Sequence, residues 1–128
     1  MELDRIDHLV LTVADLDATI AFYTEVLGMH EITFAWGRKG LAFGDNKINL
    51  HLHGDEFEPH ASAPAPGSAD FCLLTETPLR EVMRHLADRG VDLVAGPVDK
   101  VGAARPLRSV YIRDPDGNLV ELANEVGS

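Results

Sequence analysis

The sequence predicts an α+β protein of two β-α-β-β-β modules that form a cupped, mostly antiparallel sheet, and three observations carry that expectation. A strand-like HLVLTV at 8–13 leads into a helical stretch closed by Gly28, and DFCLLT at 70–75 leads into another closed by Gly90. His8 to Asp70 and Gly28 to Gly90 are the same distance apart, 62 positions. Each half then continues as short β-patterned runs separated by Gly, Asp and Asn. Late in the halves NKINLH ends in His51 and DGNLVE ends in Glu121, so polar side chains recur at corresponding points.

In the first strand Leu9, Leu11 and Val13 alternate with Ile6, His8, Val10 and Thr12, which gives one apolar face and one face carrying a histidine. Asp15 or Asp17 can cap the following helix, where Leu16, Ile20, Tyr23 and Leu27 recur at helical spacing until Gly28. EITFAW, KGLAFG and INLHLH then read as a three-stranded antiparallel meander. Residues 54–68, with Pro59, Pro64 and Pro66 among small side chains, read as a linker. After the strand at 70–75, Thr77 and Pro78 begin a helix that buries Leu79, Val82, Met83 and Leu86. These helical positions match the first helix at a spacing of 63, a slip of one residue. VDLVAG, LRSVYIRD and NLVELAN are the remaining strand candidates, with a larger loop expected over 96–106. The expected organisation is one domain over 1–128, with module one at about 4–54, a linker at about 55–68 and module two at about 69–125. Neither module covers its own sheet well, so the modules pair edge to edge or exchange with a second chain, and a homodimer is expected.

At 128 residues, 45% hydrophobic and 25% charged, the chain has the composition of one soluble globular domain. Eleven Lys and Arg against 21 Asp and Glu give a net charge of −10, which argues against nucleic acid as a partner. Cys72 is the only cysteine, the N-terminal residues lack a signal-peptide pattern, and no apolar run is long enough for a membrane span. A cytoplasmic protein with no membrane partner is expected.

Strand parity points to chemistry. Ile48, Leu50 and Leu52 belong on the helix-packing side, which sends Asn49, His51 and His53 to the other. The same rule sends Glu121 and Asp70 away from the helices, so His8, His51, Asp70 and Glu121 are expected to line the cup. Two imidazoles and a carboxylate with open positions suit a divalent ion, whether Fe(II), Mn(II), Ni(II), Co(II) or Zn(II). His8, His51 and Glu121 are the expected ligands, and Glu121 is also the expected catalytic residue. Coordination by Asp70 would leave fewer open positions, which suits Lewis-acid and proton-transfer chemistry. His53 is the rival of His51, being matched with Ala123 one step nearer the strand end. His30, His60 and His85 read as solvated residues and Cys72 as a small buried side chain. Phe34, Trp36 and Phe43 could form an apolar substrate wall or pack in the core. Arg105, Arg108 and Arg113 could anchor an anion, though a surface role fits each.

IDHLVLTVADLDATIAFYTEVLGM and SVYIRDPDGNLVELAN together resemble the two hallmark segments of the vicinal oxygen chelate superfamily. That superfamily includes glyoxalase I, type I extradiol dioxygenases, and the fosfomycin and bleomycin resistance proteins. FGDNKINLH and FEPHASAPAPGSADFCLLTETPL resemble its small glyoxalase-domain-containing members, often described as dioxygenase-like or virulence-associated. The resemblance implies paired β-α-β-β-β modules and a divalent metal held from the first and last strands of each. It places His8 and Glu121 on the first-strand and final-strand ligand positions and His51 on the fourth-strand one. At the fifth-strand position, histidine in many members, this chain has Asp70.

The expected function is a divalent-metal-dependent enzyme whose metal chelates two neighbouring oxygens of a small substrate and stabilises the anion formed in the reaction. Two histidines and a glutamate lean this toward an Fe(II)-dependent dioxygenase. A glyoxalase-like lyase or isomerase is the alternative, with Glu121 as ligand and proton shuttle. A metal-free protein that binds a cationic drug is the competing class, favoured by the net charge.

Overall fold

The computed structural model describes residues 1–127. Its element order is β1 (His8–Val13), α1 (Leu16–Glu25), β2 (His30–Phe34), β3 (Arg38–Phe43), β4 (Asn46–Leu52), β5 (Asp70–Leu74), α2 (Leu79–Asp88), β6 (Ala95–Val101), β7 (Pro106–Arg113) and β8 (Leu119–Glu125), with a short 3₁₀ turn at Ala35–Gly37. Contacts divide the chain into two compact units, Met1–Gly67 and the remainder from Ser68. Each holds one four-stranded mixed sheet, ordered β1-β4-β3-β2 in the first and β5-β8-β7-β6 in the second. In both, the outer first strand runs parallel to the last strand of the unit and the other pairings are antiparallel. These are the two β-α-β-β-β modules that the sequence predicts.

Alternation decides which face each sheet buries. In the first unit Leu11, Val13, Leu41, Ile48 and Leu50 are buried on one face. Helix α1 lies against β2, β3 and β4 and contributes the buried Tyr23. In the second unit Val110, Ile112, Val120 and Leu122 form the equivalent row, with Leu79 and Leu86 buried on α2. Each such side chain contributes about 1.5–3 kcal/mol when fully removed from water.

The two helices begin differently. Asp15 caps α1 by accepting from the backbone N–H of Ala18 at 3.0 Å, the role expected of Asp15 or Asp17. Pro78, at the corresponding point of α2, offers no side-chain cap. Asn124 of β8 replaces it, its Oδ1 accepting from Leu79 N–H at 2.8 Å while its Nδ2 donates to the carbonyls of Thr75 and Thr77. The one-residue slip is also visible: both helices span ten residues, yet Gly28 and Gly90, each at φ near +70°, follow after different numbers of residues.

The loop expected over 96–106 is instead largely β6, with only residues 102–105 turning into β7. Pro97 misleads because it cannot donate to a ladder. β6 is an edge strand, however, and its pairing with β7 shifts register between Ala95 and Val98, where a proline is tolerated. Among the described residues no helix is long and apolar enough to cross a membrane.

Candidate functional site

The face of each sheet turned away from its helix carries the polar side chains. In the first unit β1 presents His8, Val10 and Thr12 there, opposite Lys47, Asn49 and His51 of β4. In the second unit β5 presents Asp70, Cys72 and Leu74 opposite Leu119, Glu121 and Ala123 of β8. Parity therefore places His8, His51, Asp70 and Glu121 on the faces expected. Among the described residues, no three His, Cys, Asp or Glu side chains gather as a metal-binding group.

Pairing revises how the two units correspond. Two residues after His8, Val10 lies opposite Asn49; two residues after Asp70, Cys72 lies opposite Glu121. The counterpart of Glu121 is thus Asn49, and that of Ala123 is His51, where the sequence suggested His51 and His53. The turns account for the difference. β4 is entered directly from the hairpin at Gly44 and Asp45, whereas residues 114–118 hold a larger turn before β8. In that turn Asp114 Oδ1 accepts from the backbone N–H groups of Asp116 and Asn118 at 2.9 Å. The Asn118 amide donates to Asp114 Oδ2 and accepts from Ala69 N–H, with Asp114 and Asn118 both buried at the base of β5 and β8.

His8 is exposed at the start of β1, and its Nδ1 donates to the Asp7 carboxylate at 2.8 Å. That bond, with the imidazole's charge, holds the Asp7 carboxyl below its ordinary range. With Nδ1 engaged, Nε2 is the nitrogen left to bind a ligand, the arrangement by which carboxylates orient metal-binding histidines. Asn49 sits one step farther along the same face, its Oδ1 buried and without a hydrogen-bond partner. His51 lies opposite Thr12, four residues beyond the level of His8 and so about 13 Å along the strand direction.

His51 is 7% exposed, unusually buried for this residue type. Its ring meets Phe57 edge-on with centroids 5.7 Å apart. Burial and then the nearby Arg38 guanidinium push its pKa below the ordinary value, with Glu56 opposing, so the imidazole is neutral at neutral pH. Arg38 stacks on the other aromatic surface of this corner, its guanidinium carbon 4.3 Å from the Phe57 centroid.

Glu121 is the centre of the second unit's polar face. Ser109 Oγ donates to its Oε2 at 2.6 Å. Tyr111, its cross-strand partner on β7, and Cys72, its partner on β5, flank the carboxylate on the same face. Desolvation and Glu121 together push the Cys72 thiol up to about 11 and raise the Tyr111 phenol above its ordinary value. Cys72 is exposed, which corrects the expectation of a buried side chain, and its protonated state does not suit a nucleophile. Three protic groups thus surround one carboxylate.

The remaining candidates are placed elsewhere. Trp36 is 91% exposed with φ 58°, outside the core. Arg105 and Arg108 pair with Glu125 and Asp99, and Arg113 donates to the Gly117 carbonyl. His53 lies 3.5 Å from Glu56. Sequence reasoning missed Ser109 and Tyr111, which become neighbours of Glu121 only through the β7–β8 register, and Arg38 and Phe57, which come together through a turn. Asp7, adjacent to the first candidate ligand, was the one partner with a local signal.

Comparison with known proteins agrees with the architecture. A family model described as the glyoxalase/bleomycin resistance protein/dioxygenase superfamily matches residues 5–122. Virulence protein STM3117 of Salmonella typhimurium is 54% identical over 126 residues, 98% of this chain and 88% of that one. Its crystal structure has a TM-score of 0.97, covering 98% of this chain and 100% of that one. Glyoxalase domain-containing protein RDO1 of Mycosarcoma maydis is 50% identical over 119 residues, 93% of this chain and 67% of that one. An integron cassette protein from the V. cholerae mobile metagenome is 50% identical with a TM-score of 0.95, covering 97% of each chain.

Proposed function

Because the chain belongs to the glyoxalase/bleomycin resistance protein/dioxygenase superfamily, we propose that it is a divalent-metal-dependent enzyme that moves a proton on a small substrate with two neighbouring oxygens. The observation that carries this reading is the Glu121 carboxylate with Ser109, Tyr111 and Cys72 about it. A carboxylate fixed by a hydroxyl is positioned both to bind an ion and to exchange a proton with substrate.

The residues present fit a divalent ion. In the first unit His8 keeps Nε2 for an ion and the partnerless Asn49 Oδ1 is a buried acceptor that an ion would satisfy; in the second, Glu121 offers a carboxylate oxygen, and we propose that one ion takes all three. We assign the third ligand to Asn49, in the place expected for His51. The backbones of His8 and His51 are about 13 Å apart along the strand direction, whereas Asn49 is one step from His8 and better placed to share its ion. One nitrogen and two oxygens suit a harder ion such as Mn(II) or Fe(II). Bound there, the ion would act as a Lewis acid toward the substrate's oxygens.

The chain's own groups supply the rest. Glu121 accepts the substrate proton and returns it to the neighbouring atom, while Ser109 holds the carboxylate in place. Tyr111 and Cys72 keep their protons at neutral pH and so serve as donors toward bound oxygen rather than as bases. The dioxygenase expected from two histidines and a glutamate loses its ground when His51 leaves the ligand set. After anaerobic metal loading, diketone, hydroxyketone and catechol substrates separate the two reactions. Isomerisation under argon without oxygen uptake is expected. Oxygen consumption coupled to turnover, with none under argon, would restore the dioxygenase. We further propose a small-molecule substrate and a homodimer as the working assembly.

A further inference from the structure

Arg38 stands apart from the chain's other cations. It is half-buried at the start of β3, its guanidinium is stacked 4.3 Å from the Phe57 centroid, and its Nε is buried with no hydrogen-bond partner. None of the ion pairs among the described residues includes it, although acidic side chains outnumber basic ones 21 to 11. A shortage of carboxylates therefore does not explain the missing counter-ion. A buried donor left unpaired costs roughly 1–3 kcal/mol, more when charged, so a retained one implies a partner from outside the fold.

The surroundings describe that partner. Phe57 fixes the plane of the guanidinium, and a planar fork presents paired N–H groups matched to two oxygens of one anion. Continuing the β3–β4 register by two pairs sets His51 opposite Arg38 on the same face, with its ring edge-on to the same Phe57. Gly40, next along β3 and opposite Asn49, carries no side chain of its own and has the Ile32 side chain packed against it. Glu56, the acidic neighbour of His51, is committed elsewhere, with Oε1 accepting from Gly54 N–H and Oε2 toward His53. His60 is the remaining titratable neighbour, and its Nδ1 is taken by the Ala61 carbonyl.

We infer that Arg38, clamped on Phe57 and flanked by His51, binds an oxyanion group of the substrate. This rests on the enzyme reading and deepens it: the substrate is an acid whose anionic end lies on the first unit's polar face. It also gives His51, outside the proposed ligand set, a function of its own.

The test uses the full chain treated with EDTA, so that anions cannot report through a bound metal. Acetate and inorganic phosphate are titrated at constant ionic strength against chloride, following the Arg38 Nε–H and Gly40 amide signals by NMR. Saturable shifts are expected with at least one of the two, and the tighter one tells a carboxylate from a phosphate substrate. Arg38→Gln should weaken that binding at least about ten-fold, and Arg38→Lys, which keeps the charge but not the fork, should weaken it measurably. Both variants should retain wild-type amide dispersion and Mn(II) uptake. No saturable shift with either anion, or unchanged affinity in Arg38→Gln, would overturn the inference. Failure of the metal assignment would appear as absent Mn(II) uptake by the wild type and would leave the anion titration readable.

Discussion

Cys72 and His51 show how a residue's neighbours reverse its expected chemistry. Cys72 is exposed, yet partial desolvation and the Glu121 carboxylate push its thiol from an ordinary 9.0 up to about 11. Alkylation of EDTA-treated protein by iodoacetamide should therefore follow a midpoint near 11, and at pH 8 run roughly 100-fold slower than an ordinary exposed thiol. Glu121→Gln should bring the midpoint back toward 9. A wild-type midpoint at the ordinary value would remove Glu121 from contact with Cys72. His51 moves in the opposite sense, its folded pKa lying below 6.5. In the metal-free protein the unfolded chain takes up this proton first, so the stabilisation is present above about pH 6.5 and is lost as pH falls toward the folded value. Urea unfolding as a function of pH should show that decline, and His51→Gln should flatten it. The histidines and Glu121 were legible as polar residues on apolar-patterned strands. Ser109, Tyr111 and Arg38 were not, since their partners lie on neighbouring strands and only pairing identifies them.

At the scale of elements, local signals read well where the chain satisfies itself locally and fail where distant residues do the work. Asp15 caps α1 from three residues away and was legible. The cap of α2 comes from Asn124, 45 positions on, and was not. Asn124→Ala removes the acceptor for Leu79 N–H and the donor to two carbonyls, and should cost about 1–3 kcal/mol in urea unfolding, with faster amide exchange in the first turn of α2. An unchanged midpoint would deny the cap. β6 makes the same point, because Pro97 reads as a loop until the strand's edge position is known. Gly96, at φ 102°, would with a Cβ meet the Ser109 carbonyl oxygen at 2.5 Å and Val110 Cα at 2.9 Å. Gly96→Ala should therefore destabilise by more than about 2 kcal/mol, through strain and collision with backbone that cannot turn aside.

For the molecule as a whole, the duplicated module was legible because helix-closing glycines and strand patterns repeat at nearly constant spacing. The correspondence between final strands was not, because a five-residue turn built on Asp114 and Asn118 replaces a two-residue hairpin, and counting positions cannot allow for that. Pairing moves the counterpart of Glu121 from His51 to Asn49, and the donor set and reaction proposed above rest on that correspondence. Metal binding to the full chain tests this most directly. Titration of EDTA-treated protein with Mn(II) by calorimetry should show about one tight site per chain. His8→Ala and Glu121→Gln should abolish it and Asn49→Ala should weaken it, while His51→Ala and His53→Ala should leave it nearly unchanged. No tight site in the wild type, or a site lost with His51→Ala and spared by Asn49→Ala, would contradict the account.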